Sequence, residues 1–404
     1  MNQELSDFAA RLRETMLSEG RVPRGPDFKL RTPNSEFRNG DSCNSSLRSF
    51  GALALELFVL QFKHNAACRK ICKAQDLTPG AIEHWTQIPA VPTTAFKELE
   101  LSCIPDKERT AVFHSSGTTE QRPSRHFHCS ASLELYETSL WSWFHRHVVP
   151  EVGVQSLEFG VLILAPPPVQ APHSSLVHMF ETVCGRACKS ADHSFFGTVA
   201  ADGSWVLDYE AVLTALNSSL AARHPLLILG TAFSFVHLLD FLGERDLRFR
   251  LPHGSRVMET GVYKNRSRAM PKEELHRLIT ERLGIPNENI VCEYGMSELG
   301  SQAYDSVASD EWRVTGKGAV SRHSSPATRH FHYPPWARVQ IISPETGRGV
   351  ADGETGLIRV FDLANAFSAM AVQTEDLGIR HGDGFELIGR VQVAEPRGCS
   401  LMSA

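Results

Sequence analysis

Short apolar runs alternate with amphipathic segments between residues 110 and 332, and this alternation constrains the fold more than any other feature of the chain. The apolar runs predict strands over Thr110–Phe113, Phe159–Ala165, Pro225–Leu229, Arg256–Glu259 and Asn289–Tyr294. The amphipathic segments predict helices over Ser130–Val148, Ser174–Cys184, Asp208–Arg223, Ala232–Phe241 and Lys272–Leu283. Strands that alternate with helices are joined by right-handed crossovers, which place parallel strands side by side with helices on both faces. The sequence therefore predicts an α/β fold with a largely parallel sheet.

Both flanks of this region have a different pattern. Apolar residues at helical spacing over Ser45–Asp76 predict one long buried helix, and residues 1–20 predict an amphipathic, solvated helix. After Tyr333, turn residues separate short apolar runs that predict strands over Arg338–Ile342, Leu357–Phe361, Ala369–Thr374 and Phe385–Ile388. We therefore expect a helical N-terminal region over 1–109, an α/β core over 110–332, a smaller β-rich subdomain over 333–390 and a mobile tail over 391–404.

Composition and charge exclude several classes of protein. The chain has 404 residues, 42% apolar and 22% charged, which excludes a small disulfide scaffold and a collagen-like repeat. Its formal charge of −5 includes no basic block, which argues against binding nucleic acid or an anionic membrane. The most apolar stretch, Pro225–Leu242, is interrupted by polar residues and is not expected to span a bilayer. An odd number of cysteines, nine, and a start without a signal sequence favour reduced thiols and a cytoplasmic location.

A run of small hydroxyl residues follows the first predicted strand. Ser115, Ser116, Gly117, Thr118 and Thr119 offer hydroxyl and backbone N–H groups to phosphate oxygens, and the glycine permits close approach of the backbone. The run lacks the Walker pattern of other phosphate loops. Taken alone, it fits a plain Ser/Thr-rich turn equally well.

In a second motif, an apolar strand ends in the residues Tyr294, Gly295, Met296, Ser297 and Glu298. An aromatic ring can stack on a purine, and a carboxylate at the carboxyl end of a strand can hold a hard cation such as Mg²⁺. Glu298 could equally cap a helix.

A third motif consists of an acidic turn and a later Gly-Arg pair. Asp376 lies in the turn Gln373–Gly378, and Arg390 ends the segment Gly384–Arg390. Acidic side chains at such a turn could bind ribose hydroxyls, although surface turns are commonly acidic for other reasons.

The order of these motifs resembles that of the acyl-adenylate-forming enzymes, in which ATP and a carboxylic acid give acyl-AMP and pyrophosphate. Met258–Gly261, between the first two motifs, is similar to the segment that lines their adenine site. A closer resemblance is to the acyl-protein synthetases of bacterial bioluminescence operons, also called luciferin-component ligases. It extends through ordered blocks from Pro92–Lys97 to Arg397–Leu401.

This resemblance implies a fold, two cofactors and a set of roles. The fold is the large N-terminal domain of adenylate-forming enzymes, and the cofactors are ATP and Mg²⁺. The resemblance implies that Ser115–Thr119 hold the ATP phosphates, that Thr260, Gly261 and Tyr294 flank adenine, and that Glu298 binds Mg²⁺. Gly295, Met296 and Ser297 belong to the same nucleotide-binding block, and Asp376 with Arg390 would contact the ribose.

The resemblance also implies a covalent step at a cysteine near the C-terminus. That cysteine receives the acyl group as a thioester, which an acyl reductase partner then uses. Cys399 fits by position, and its polar, small-residue surroundings predict a mobile and accessible thiol. Arg397 would lower its pKa and increase the reactive thiolate fraction. Without the surrounding pattern, Cys399 would be interpreted as an incidental exposed cysteine.

Some positions depart from the pattern of two-domain adenylating enzymes. Arg125 stands near the place of the phosphate-loop lysine, and we expect it to replace that lysine as the phosphate-binding cation. The chain ends fourteen residues after Arg390, so we expect the small C-terminal domain to be absent.

Histidines are frequent among the motifs. His114, beside the phosphate loop, is a candidate substrate-binding donor. The pairs His126/His128 and His330/His332 could bind zinc if they converged, but such pairs are more common on solvated strand faces.

The sequence thus predicts ATP-dependent activation of a carboxylic acid, with transfer of the acyl group to Cys399. Phe233, Phe235 and Met258 favour an acid with an apolar, fatty group. One alternative is a ligase that passes the acyl group to CoA, a carrier-protein thiol or an amine without self-acylation. Another is a nucleotide-binding scaffold without turnover.

Overall fold

The computed structural model describes residues 2–19, 49–115, 122–149, 159–187, 194–261, 270–307 and 329–390. The helices are α1 (Gln3–Glu19), α2 (Phe50–His64), α3 (Ala66–Ala74), α4 (Ala95–Glu98), α5 (Ser130–His147), α6 (Ser175–Ala187), α7 (Tyr209–Ala222), α8 (Ala232–Glu244) and α9 (Lys272–Leu283). The strands are β1 (Val91–Pro92), β2 (Ala111–His114), β3 (Arg125–His128), β4 (Gly160–Leu164), β5 (Ser194–Phe195), β6 (Gly197–Val199), β7 (Trp205–Leu207), β8 (Leu226–Thr231), β9 (Arg256–Thr260), β10 (Ile290–Tyr294), β11 (Ala303–Val307), β12 (Arg329–His332), β13 (Ala337–Ile342), β14 (Thr355–Asp362), β15 (Ala371–His381) and β16 (Gly384–Arg390). Every strand and helix predicted between residues 110 and 332 is present close to its predicted ends.

The N-terminal region is helical, with two differences from the prediction. The helix predicted over Ser45–Asp76 is interrupted at Asn65, which leaves the helical conformation and accepts the Cys68 N–H at 3.0 Å with its side chain. Helix α1 is amphipathic but not solvated on all sides, because Leu5 and Met16 are fully buried on the face that contacts α5. Both corrections reflect tertiary packing that local periodicity does not report.

Twelve strands form one mixed sheet. The order is β13–β14–β15–β16–β12–β11–β10–β9–β8–β4–β5, with β1 paired to β15. Strands β5, β4, β8, β9 and β10 are parallel, as the alternation of strands and helices predicts. From β10 to β13 each neighbouring pair is antiparallel. The α/β class is confirmed, and parallel pairing is confined to one half of the sheet and to β1.

Helices cover both faces of the parallel half. Side chains alternate along each strand, so Leu227 and Leu229 of β8 pack in a core with α1, α5 and α6. Leu226 and Ile228 pack in a second core with α7, α8 and α9. This arrangement leaves the carboxyl ends of β8, β9 and β10 at one edge of the sheet, where α/β proteins usually bind their ligands.

The strands after Tyr333 continue the same sheet. Strand β16 pairs with β12 through Phe385 and Phe331, and this pairing joins β13–β16 to the rest of the sheet. The division of the chain at residue 332 stays a prediction. Within the described ranges, every helix is too short or too polar to cross a bilayer.

Candidate active site

Strands β2 and β3 form a hairpin that carries the hydroxyl-rich loop. The ends of the loop are held together by two reciprocal hydrogen bonds. The Ser115 N–H donates to Ser124 Oγ at 3.2 Å, and the Ser124 N–H donates to Ser115 Oγ at 3.1 Å. Of the residues predicted to hold phosphates, Ser115 lies at this base, whereas Ser116, Gly117, Thr118 and Thr119 lie outside the described residues.

The base of this hairpin contacts the second motif directly. Ser124 Oγ lies 3.4 Å from Ser297 Oγ, and Nδ1 of His126 donates to the Ser297 carbonyl at 2.8 Å. Burial lowers the pKa of His126 to about 4, so the ring is neutral at physiological pH and its Nδ1–H remains a donor. Two segments more than 150 residues apart in sequence are therefore fixed side by side.

Residues 295–302 continue from β10 as a turn without helical structure. Glu298 therefore has no helix to cap. Its side chain is 5% exposed and accepts a hydrogen bond from Ser297 Oγ at 3.1 Å, and Asn365 donates to its carbonyl at 2.8 Å. The turn is stabilised further by Asp362, which accepts the Gly300 N–H at 2.8 Å.

The third motif lies within a strand and forms part of a buried polar contact. Asp376 is 9% exposed inside β15, so the predicted turn at this position is wrong. The Tyr294 hydroxyl donates to Asp376 Oδ2 at 2.9 Å, and Arg390 Nε lies 3.5 Å from Asp376 Oδ1. The polar residues after Thr374 extend the strand because β14 and β16 pair with it on both sides. The structure thus brings Tyr294, Asp376 and Arg390 together.

Thr260 ends β9 beside β10, and its hydroxyl donates to the carboxylate of Glu293. Burial raises the pKa of Glu293 to about 7. A Cβ at Gly295 would overlap the Glu293 carboxylate in its present position. Gly261, with φ of +94°, leads away from the strand in a conformation that favours glycine. Sequence analysis missed Glu293, although its place directly before Tyr294 at a strand end was a usable signal.

Arg125 and His114 face each other across the hairpin as a register pair. Arg125 Nε is buried and makes no hydrogen bond within the described residues, so its N–H can donate to a further acceptor. The His114 ring lies 4.7 Å from the His173 ring between centroids. Burial, followed by the nearby charges of His173 and Arg125, lowers the pKa of His114.

The two His-x-His pairs lie on different sheets and do not converge. His126 and His128 are each 3% exposed, so the prediction of a solvated strand face is wrong for this pair. The described part of the chain holds no group of three or more His, Cys, Asp or Glu arranged around a metal ion. A magnesium ion commonly takes one protein carboxylate and completes its shell with substrate phosphates, and buried Glu298 fits that pattern.

Of the three residues expected to favour an apolar acid, Phe235 and Met258 lie on opposite faces of the sheet. Phe235, on α8, is fully buried in the core that α7, α8 and α9 form against the sheet. Met258 is fully buried in the core on the opposite face of the sheet. Residue type alone could not separate these faces, because Phe235 lies on a helix and Met258 on a strand, and packing decides which face each side chain covers. Cys399 lies outside the described residues.

Comparisons with known proteins agree with the motif order. The family model described as "Acyl-protein synthetase, LuxE" matches residues 41–404. A long-chain-fatty-acid–luciferin-component ligase of Aliivibrio fischeri is 21% identical over 365 residues, covering 87% of each chain. The ligase of the same name from Vibrio harveyi is 20% identical over 205 residues, covering 48% of this chain and 49% of the relative.

A solved structure shares the fold. The open conformation of 2-hydroxyisobutyryl-CoA ligase, in complex with its acyl-AMP and CoA, superimposes with a TM-score of 0.59. It covers 85% of this chain and 70% of its own, at 13% identity, so the likeness extends to the fold alone. Because the family model spans most of the sequence, the chain belongs to the LuxE acyl-protein synthetase family and is an AMP-forming acid ligase.

Proposed function

We propose that the chain uses ATP to convert an apolar carboxylic acid into its acyl adenylate and then transfers the acyl group to its own Cys399. One observation carries this proposal. Three segments distant in sequence, the hairpin base at Ser115 and Ser124, the turn at Ser297 and Glu298, and the Asp376–Arg390 pair, meet around the carboxyl end of β10. The names of both bacterial relatives support a long-chain fatty acid as the substrate.

The phosphate groups of ATP would bind at the hairpin. Ser115 lies at its base, and the loop residues Ser116–Thr119 would supply further hydroxyl and N–H donors. Arg125, whose Nε has no hydrogen-bond partner among the described residues, would supply the cationic donor. Glu298 would hold Mg²⁺, which neutralises phosphate charge when bound. His126 acts as a positioning residue, because it fixes Ser297 against the hairpin.

The nucleoside would bind at the strand ends next to that phosphate site. Tyr294 and the Thr260–Gly261 end of β9 would flank the adenine, and Asp376 with Arg390 would contact the ribose. Tyr294 connects the two parts, since its hydroxyl donates to Asp376. The hydroxyl thereby fixes both the ring that would contact the base and the carboxylate that would contact the sugar.

The adenylation step needs positioning more than covalent chemistry from the protein. A carboxylate oxygen of the acid attacks the α-phosphorus, the bond to the bridging oxygen breaks, and pyrophosphate leaves. Aligning the two reactants removes much of the entropic barrier. Arg125 and the N–H groups of the hairpin loop would stabilise the charge that develops on the phosphate oxygens. His114, neutral because its pKa is lowered, would donate a hydrogen bond to the acid.

The transfer step would use the thiolate of Cys399. Its sulfur attacks the acyl carbonyl, the bond to the phosphate oxygen breaks, AMP leaves, and a thioester forms. A partner such as an acyl reductase would then take the acyl group. A cytoplasmic location is part of this proposal, and the six free thiols among the described residues support it.

Intact-mass measurement tests the transfer step. Protein incubated with ATP, Mg²⁺ and a long-chain fatty acid should gain the mass of one acyl group, which hydroxylamine removes. Cys399→Ala should abolish the adduct, and Cys103→Ala serves as the control that retains it. An adduct that persists in Cys399→Ala, or transfer to CoA with no adduct on the protein, would contradict self-acylation.

A further inference from the structure

Lys272 and Cys292 lie in unusually close contact between helix α9 and the interior strand β10. Nζ of Lys272, the first residue of α9, lies 2.7 Å from Sγ of Cys292 on β10. Hydrogen bonds from nitrogen to the smaller oxygen atom already span about 2.7–3.2 Å. The proposed function uses neither side chain, so this contact calls for a separate explanation.

The pair is held in a polar cluster between α9 and the sheet. Glu259 Oε1 lies 3.7 Å from Lys272 Nζ and 3.2 Å from His276 Nε2. On the other side, Asp305 accepts the Cys292 N–H at 2.7 Å and pairs with Arg329 at 3.1 Å. These contacts fix both the helix and the strand, so the nitrogen and sulfur have little freedom to separate.

The surroundings also provide access to the pair and a carboxylate that holds the ammonium group in place. Cys292 is 2% exposed, but about a third of the Lys272 side chain reaches solvent, so a small oxidant can approach along the lysine. Oε2 of Glu259 is fully buried and makes no hydrogen bond in the described part of the chain. Glu259 is thus placed to hold the ammonium group beside the sulfur, and the proton that this group must lose before its nitrogen reacts leaves to solvent along the exposed part of the lysine.

We propose that Lys272 and Cys292 form an oxidative modification site at which hydrogen peroxide creates a covalent nitrogen–oxygen–sulfur bridge. One peroxide oxidises the thiol to a sulfenic acid and releases water. A second peroxide oxidises the amine to a hydroxylamine and releases water. Condensation of the two groups forms the bridge from Nζ through one oxygen to Sγ, with loss of a third water. Nitrogen and sulfur each lose two electrons, and two equivalents of a dithiol reverse the reaction.

The bridge would tie the first turn of α9 to β10. Tyr294 lies two residues beyond Cys292, on the same face of that strand, so the cross-link would form directly beside the proposed adenine site. Only this link to the nucleotide rests on the proposed function. The bridge itself depends on the contact between the two side chains and forms without ATP or acid.

Peptide mass analysis of the full-length chain tests the proposal. After treatment of the reduced protein with hydrogen peroxide and digestion, the peptides containing Lys272 and Cys292 should appear joined. Their combined mass should exceed the sum of the reduced peptides by about 14 Da, one oxygen gained and two hydrogens lost, and dithiothreitol should reverse it. Lys272→Arg keeps the positive charge but removes the amine, so the joined species should disappear. Cys72→Ser, at a thiol that is also buried, should retain it.

Three results would overturn the proposal. The first is conversion of Cys292 to sulfinic acid with no linked peptide. The second is a linked species that persists in Lys272→Arg, whose folding is checked by thermal unfolding. The third is an unmodified Cys292 under conditions that oxidise Cys72. None of these results affects the adenylation proposal, since the readout requires no nucleotide.

Discussion

Two buried glutamates on neighbouring strands, Glu259 and Glu293, lie on opposite faces of the sheet, and their pKa values are shifted in opposite directions. Burial alone would raise the pKa of Glu259, but Lys272 and His276 beside it hold that pKa below its ordinary value. Glu293 faces the other way, has a hydroxyl rather than a cation as its partner, and its pKa is raised to about 7. The difference teaches that the pKa of a buried carboxylate falls or rises according to whether a cation lies on its face of the sheet.

Removing the cation beside Glu259 should have the largest effect on the stability of the protein. In Lys272→Met the fully buried Glu259 loses its principal counter-charge, and the free energy of unfolding should fall by about 3–5 kcal/mol. Urea unfolding followed by circular dichroism measures this change. Lys73→Met, at an exposed lysine on α3, should leave the midpoint unchanged. Equal stability of Lys272→Met and wild type would show that the two faces do not differ as described.

Removing the charge of Glu293 should increase the free energy of unfolding, whereas removing the cation beside Glu259 should lower it. Because the folded pKa of Glu293 is about 7 against an ordinary 4.5, this group opposes folding increasingly as pH rises between those values. Glu293→Gln keeps an acceptor for Thr260 and should be more stable than wild type above pH 7, by about 3 kcal/mol. The advantage should shrink as pH falls towards 4.5. Thermal unfolding at several pH values measures it.

Glu273→Gln provides the control for that pH profile, since Glu273 is exposed in the first turn of α9. Its profile should follow the wild type. A difference in stability between Glu293→Gln and wild type that does not depend on pH would contradict the raised pKa of Glu293.

A smaller loss of stability is expected from a change at Tyr294, which lies on the same face of β10 as Cys292 and in the proposed nucleotide site. Tyr294→Phe removes the hydroxyl that donates to buried Asp376, and the unfolding free energy should fall by about 1–2 kcal/mol. If Tyr294 also orients the nucleotide, KM for ATP should rise more than kcat falls in the pyrophosphate-release assay. Tyr209→Phe, on α7, is the matched control. A change in kcat alone would place Tyr294 outside nucleotide binding.

The sequence predicted the parallel half of the fold well and the antiparallel half less well. The strands β4, β8, β9 and β10 each contain a run of consecutive apolar residues, so the local sequence is enough to identify them. Strands β11 and β12 carry alternating polar residues such as Asp305 and His330, and they were not predicted. Their strand conformation depends on pairing with each other and with neighbours that are distant in sequence.

The sequence likewise predicted some of the contacts in and near the candidate site and not others. Motif order predicted that Ser115, Tyr294, Asp376 and Arg390 belong to one site, and the structure brings these segments together. The Thr260–Glu293 contact requires the register between β9 and β10. The Lys272–Cys292 contact requires the docking of a helix on a strand. Neither can be read from spacing alone.

Pyrophosphate exchange is the most direct test of the central claim, that three distant segments assemble an adenylating site. With ATP, Mg²⁺ and a panel of fatty acids, wild type should show acid-dependent exchange, and Cys399→Ala should retain it because adenylation precedes transfer. Glu298→Gln should lower the exchange rate by about 10²–10³-fold while its thermal unfolding stays close to wild type. Exchange in Glu298→Gln equal to wild type, or no exchange by wild type with any acid, would contradict the account.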